Sequence, residues 1–178
     1  MRRVEDTAIA FARACIDAGV EYAVIRAIAV LAWGQPRATS DVDALIIMSL
    51  GQVDPFVAAL ASQGLEASVA DLQDALVDKS HVTIFDPQTN FHVDARTTRD
   101  AAEEAQVRSA TVIELHGQPI RIARAEETVA FKLKFGSPQD LQDARSILIR
   151  QEKLDMPRLR ALAAKLGVEK NLDDLIAL

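Results

Sequence analysis

The chain has 178 residues, 49% hydrophobic but only 4% aromatic, so Ala, Val, Leu and Ile must build its core. Its 26 acidic side chains against 20 Lys and Arg give a net charge of −6 and a pI near 5.1, which argues against a general nucleic-acid coat but allows a local basic patch. A single cysteine, Cys15, excludes an intrachain disulfide and a thiolate metal cluster, and charges interrupt the apolar runs well short of the roughly 20 residues of a membrane span. The opening segment MRRVEDTAIAFARACIDAG contains acids and reads as an amphipathic helix over Val4 to Ala18 instead of a signal peptide, so a cytoplasmic protein is expected.

A short strand follows at Tyr22 to Ile25, then a buried helix from Ile28 to Trp33 that Gly34 ends. Val42 to Met48 is a continuously apolar strand interrupted only by Asp43. Asp54–Pro55 starts a helix running to about Gln63, and Asp71 is positioned to cap another. His81 to Phe85 and Phe91 to Ala95 flank the turn-rich DPQTN and form an antiparallel hairpin. A helix over Thr98 to Arg108 precedes a second hairpin, Thr111 to Leu115 and Ile120 to Ala123. Beyond Ala125 the chain reads as helical: Glu126 to Phe135, Pro138 to Arg150, Pro157 to Leu166 and Leu172 to Ala177. The expectation is an α+β core, a mixed sheet with flanking helices over residues 1–124, and a helical subdomain packed on it over residues 125–178.

The stretch RATSDVDALIIM carries the chemistry. Alternation on a strand sends Asp41 and Asp43 to one face, about 7 Å apart, with Val42 opposed. Like charges there repel, and carboxylates beside an apolar run are costly unless compensated, so a cation between them resolves the conflict. In FHVDARTT, His92 and Asp94 share a face in the same way. If the two strands are neighbours, three carboxylates converge, a hard-oxygen set suited to Mg²⁺ or Mn²⁺. The plainer reading makes these acids strand-end caps, or partners of Arg37 and Arg96.

The longer stretch IRAIAVLAWGQPRATSDVDALI resembles the nucleotidyltransferase superfamily of polymerase-β-like fold, especially the minimal, AbiEii-like branch of toxin–antitoxin systems. Gly34, Arg37, Thr39, Asp41 and Asp43 match the pattern G-x-x-R-x-T-x-D-x-D, and Asp94 falls in a suitable later strand. ETVAFKLKFGSPQDLQDARSIL is similar to the family's lysine-bearing helix followed by a D-x-x-D helix, matched by Lys132, Asp140 and Asp143. The resemblance implies Asp41, Asp43 and Asp94 as catalytic and Mg²⁺- or Mn²⁺-binding residues. It implies Arg26, Ala27, Arg37, Thr39 and Lys132 around an NTP such as ATP. The acceptor is then a tRNA end, a protein hydroxyl or a small molecule, and an antitoxin is a possible partner.

The chain departs from the pattern where the family has a glycine pair after the first strand, because Arg26–Ala27 stands there. Glycines at such a turn allow close backbone approach to phosphate. Arg26 could fill the nucleotide pocket, supply a phosphate-binding cation, mark an inactive protein, or simply pair with Asp41 or Asp43. Two functions therefore stand side by side: metal-dependent nucleotidyl transfer to a hydroxyl acceptor, with a toxin-like role as one form of it, and a catalytically impaired module that binds a nucleotide or a partner. Lys132 has a plain alternative as an ordinary helix lysine, and Asp140 and Asp143 as first-turn acids complementing the helix dipole.

Overall fold

The computed structural model describes residues 2–177. The chain forms α1 (Val4–Asp17), β1 (Glu21–Ile25), α2 (Arg26–Trp33), β2 (Asp41–Ile47), α3 (Val53–Ser62), α4 (Val69–Asp78), β3 (His81–Phe85), β4 (His92–Thr97), α5 (Ala101–Arg108), β5 (Thr111–Leu115), β6 (Gln118–Ile122) and the helices α6 (Ala125–Phe135), α7 (Pro138–Arg150), α8 (Met156–Leu166) and α9 (Glu169–Ile176). It divides into two compact units, Met1–Ile28 with Ala38–Ala123, and Ala29–Arg37 with Arg124–Leu178. Ala29–Arg37 thus belongs with the helical segment that starts at Arg124.

The first unit is built on a six-stranded mixed sheet in the order β3-β4-β2-β1-β6-β5. β2 runs antiparallel to β1 and parallel to β4, while β3–β4 and β5–β6 are the two expected antiparallel hairpins. Even-numbered residues of β1 and β2 (Tyr22, Val24, Val42, Ala44, Ile46) are fully buried, as are Val93 and Ala95 of β4. α1 packs against β1, β2, β4 and β6. Phe11 of α1 meets Tyr22 edge-on at 5.8 Å and Phe56 of α3 at 6.2 Å, the aromatic centre of an otherwise aliphatic core. Buried Asp86, at the end of β3, accepts from Thr7 Oγ1 at 2.7 Å and pairs with Arg2 at 3.1 Å, which ties the start of α1 to the hairpin turn.

α5 packs against β1 and β2, where Val107 joins Ala23 and Leu45 in a small core. Leu45 is in line with Asp41 and Asp43 by strand alternation, so a single face passes from apolar residues near α5 to acids at the start of β2. Local starts differ in places from expectation. Ser68, not Asp71, caps α4, its Oγ accepting from the Asp71 N–H at 3.2 Å. Asp54 lies inside the first turn of α3, and α5 starts only after Asp100, whose carboxylate accepts from the N–H groups of Ala102 and Glu103. A short polar side chain before the helix satisfies the unpaired first-turn N–H groups, and that fixes the boundary.

The second unit is helical, with Val30, Val129, Leu133, Ala144, Ile147, Leu159 and Leu172 buried in its core and Trp33 packed against them. Gly136, at φ +68, ends α6, and Ser137–Pro138 restarts the chain as α7 with a capping box to Asp140. Gly34 is needed for close packing: a Cβ there would stand 2.9 Å from Ile147 Cγ1 of α7. The matched motif glycine thus has a packing role within the helical unit.

Candidate active site

Strand register explains why acids gather in the sheet unit. In the parallel β2–β4 pair, Asp41 stands opposite His92 and Asp43 opposite Asp94. The neighbouring strands on which the convergence depended are therefore adjacent, and the four side chains line one face. On the other side of β2, Asp43 pairs with Ile25, the last residue of β1, so the next residue, Arg26, arrives beside it.

The acids are engaged by an arginine and a histidine. Arg26 Nη1 lies 3.2 Å from Asp43 Oδ1, and His92 Nε2 lies 3.5 Å from Asp41 Oδ1 and 3.6 Å from Asp94 Oδ2. Thr83 Oγ1 donates to Asp94 Oδ1 at 2.9 Å, and Ser40 Oγ to Asp41 Oδ1 at 2.7 Å. Thr83 and Ser40 are positioning contacts that the motif reading missed. The signal for Thr83 lies in the hairpin: its register sets Thr83 opposite Asp94. Thr39 secures the loop, its Oγ1 donating to the Asp41 carbonyl at 3.2 Å and accepting from the Asp41 N–H at 3.4 Å.

The donor chemistry suits a hard divalent cation: carboxylate oxygens on two rigid adjacent strands, partly open to water. The side chains point to Arg26 and His92 instead, and among the described residues no three acidic, histidine or cysteine side chains converge as a ready ligand group. Asp41, Asp43 and Asp94 would hold such an ion only after a change of side-chain torsions, which is cheap for half-exposed aspartates.

Arg26 also carries an unusual backbone. Its φ is +54, in the left-handed region that costs an L-residue about 1–2 kcal/mol. The turn from β1 into α2 therefore has the conformation glycine adopts freely, although arginine occupies it. Ala27 follows, buried in the first turn of α2.

Arg37 and Lys132, expected from the resemblance near phosphate, both lie in the helical unit and face acids there. Lys132 Nζ is 2.7 Å from Asp140 Oδ1 and 2.9 Å from Asp143 Oδ2, and Arg37 Nε is 3.3 Å from Asp143 Oδ1. Lys132 and Asp143 are buried. Gln139 completes the cluster, its side-chain amide donating to Asp143 Oδ1 at 3.0 Å. Burial by itself would raise the Asp140 carboxyl, but hydrogen bonds from Lys132 and Ser137 outweigh it and hold Asp140 below its ordinary value. Both cations thus serve an internal charge network, whose members hold one another as buried ions must.

No protein-family model and no curated protein sequence matches the chain. Solved structures do. The antibiotic-resistance factor ANT(2″)-Ia, in complex with adenylyl-2″-tobramycin, superposes with a TM-score of 0.59 at 12% identity, covering 93% of this chain and 98% of its own. Its solution structure gives 0.58 at 13% identity, covering 98% and 97%. An antigenic nucleotidyltransferase-like protein from Paracoccidioides brasiliensis gives 0.59 at 16% identity, covering 98% and 92%. At these identities the likeness establishes the nucleotidyltransferase fold, a mixed sheet with flanking helices followed by a helical segment.

Proposed function

We propose that the chain is a metal-dependent nucleotidyltransferase that moves a nucleoside monophosphate from an NTP to a hydroxyl of a small molecule. The observation that carries this reading is the alignment of Asp41, Asp43 and Asp94 on one face of adjacent strands, with Asp43 and Asp94 in direct register. Three acids beside buried apolar strand residues have little structural use, and hard cations bind such a set. A divalent ion held by them would neutralise phosphate charge and orient the triphosphate.

The chain's own part is then proton transfer and positioning. Asp94, its Oδ1 fixed by Thr83, presents Oδ2 to take the proton of the acceptor hydroxyl. The acceptor oxygen forms a bond to the α-phosphorus, the bond from that phosphorus to the bridging oxygen breaks, and pyrophosphate leaves with the electron pair. Arg26 and Ala27 lie at the turn beside Asp43, where the nucleotide phosphates would approach. Arg37 and Lys132 support the helical unit, and any charge they lend to phosphate is secondary to their hold on Asp143.

Two facts favour a small-molecule acceptor over RNA. The net charge of −6 repels a polyanion, and one fold neighbour is bound to an adenylylated small molecule. A toxin-like role on a macromolecule is the variant that the AbiEii-like resemblance adds. The test is transfer of label from each α-³²P-labelled NTP, with Mg²⁺ or Mn²⁺, to a panel of polyhydroxylated and aminated small molecules, to tRNA and to protein in cell extract. Label on a small molecule supports the reading, label on RNA or protein transfers it to the toxin-like variant, and no label on any acceptor with any NTP sinks both.

The pairing of Arg26 with Asp43 favours a second reading, a nucleotide-binding module without transfer activity. That reading gains if NTPs raise the melting temperature while no label moves.

A further inference from the structure

The contact between Arg26 and Asp43 has a direction. The guanidinium end is the open partner, with 54% of the Arg26 side chain exposed against 22% of Asp43. Asp43 is held by the sheet through register with both Ile25 and Asp94, so the arginine is the side that can leave. A guanidinium is a cation of fixed charge, so Arg26 competes with a metal ion for the Asp43 carboxylate. It reaches this position through a left-handed backbone at Arg26, which fixes the first atoms of the side chain next to the strand end.

We propose that Arg26 is an internal counter-ion that occupies Asp43 until a divalent cation arrives with a triphosphate, so that metal and nucleotide enter as a pair. The inference rests on the metal-binding reading of the acids given above. A divalent ion bound to Asp43 would lie beside a guanidinium, and that repulsion weakens metal binding to the empty protein. Guanidinium is also a bidentate partner for phosphate. When a triphosphate is present, Arg26 exchanges carboxylate for phosphate oxygens, the phosphate charge offsets the guanidinium's, and Asp43 is released to hold the ion. Binding of one ligand then strengthens the other by the same factor, as linkage requires.

The experiment compares Mn²⁺ binding to the native chain, Arg26→Gln and Arg26→Gly, followed by the free-Mn²⁺ paramagnetic resonance signal and by calorimetry. Each is measured alone and with a non-hydrolysable α,β-methylene NTP. Gln keeps a Cβ in the left-handed turn and removes the charge, while Gly removes both, so charge and backbone effects separate. Circular dichroism and thermal unfolding report whether each variant is folded. The expected result is Mn²⁺ bound at least about fivefold more tightly by both variants than by the native chain when no nucleotide is present. The enhancement of Mn²⁺ affinity by the NTP analogue is expected to be largest in the native chain and to shrink in both variants. Equal Mn²⁺ affinity in all three chains overturns the counter-ion role while leaving the metal site in place. Tightening in Arg26→Gly but not in Arg26→Gln assigns the effect to the backbone and also overturns it. No Mn²⁺ uptake by any of the three, with or without analogue, overturns the metal-binding reading and this inference with it.

Discussion

Two L-residues with long charged side chains occupy left-handed backbone at helix boundaries, and they call for different substitutions. Lys79 ends α4 at φ +49, and its Nζ donates an exposed hydrogen bond to the Arg99 carbonyl at 3.1 Å. Lys79→Gly is expected to stabilise the fold by about 0.5–1 kcal/mol, read as a higher denaturant midpoint at unchanged slope. Asp43→Asn tests the opposite kind of residue. Its partner Arg26 is more than half exposed, so losing the pair is expected to change stability by no more than about 1 kcal/mol in EDTA, while nucleotidyl transfer in Mg²⁺ disappears. A loss of several kcal/mol would make Asp43 a structural ion-pair partner, and undiminished transfer would remove it from the mechanism. The facing of Asp41 and Asp43 was legible from strand alternation, and so was the sharing of a face by His92 and Asp94. The turn at Arg26 was legible only through the glycine pair of the resembled pattern: nothing in Ile25–Arg26–Ala27 itself announces a positive φ, because arginine ordinarily avoids it.

At the scale of elements, the α6–α7 pair is held by Lys132 between Asp140 and Asp143. Lys132→Met keeps the length of the side chain and strands Asp143, buried, with Arg37 as its remaining cation. A loss of about 3 kcal/mol is expected at neutral pH, because breaking a buried pair leaves Asp143 with only the partly exposed Arg37 to offset its charge. The pH dependence follows from Asp140, which the fold holds below its ordinary value of 3.8. A depressed carboxyl binds fewer protons folded than unfolded. Its contribution is therefore present above the unfolded value and fades as pH falls through the folded one. Native unfolding followed from pH 6 to pH 2 should show that acid loss, and Lys132→Met should show less of it. Helix and strand locations were readable because periodicity and caps are local signals. The adjacency of β2 and β4 was only a condition in the sequence, since Cα partners 51 residues apart in the chain, as Val42 and Val93 are, leave no mark in either segment. The duties of Lys132 and Arg37 were obscured likewise: a lysine on a helix and an arginine in a loop carry no sign that both end on one buried aspartate.

At the scale of the whole molecule, the chain enters the helical unit twice, first for Ala29–Arg37 and again from Arg124 onward. Val30 and Trp33 fill the same core as Val129, Ile147 and Leu159, so a chain ending after Ala123 leaves them without the residues that bury them. Such a truncated chain is expected to bind a hydrophobic dye and to lose cooperative unfolding. Trp33 is the sole tryptophan, so its emission, expected to shift to longer wavelength on truncation, reports the helical unit directly. Unchanged emission and a sharp transition would mean that the sheet unit supports α2 by itself. The sequence suggests a boundary near residue 125, where hairpins give way to helices, and counts Ala29–Arg37 with the core before it, although its apolar residues suit either core. This double entry also bears on recombination. A crossover near residue 124 between this chain and a diverged relative would graft a foreign helical tail onto a resident α2, so that Gly34 would face a residue other than Ile147 and Arg37 an acid placed elsewhere. Functional chimaeras should therefore need two exchanged segments, the long tail together with the nine residues from Ala29 to Arg37, inherited as one piece.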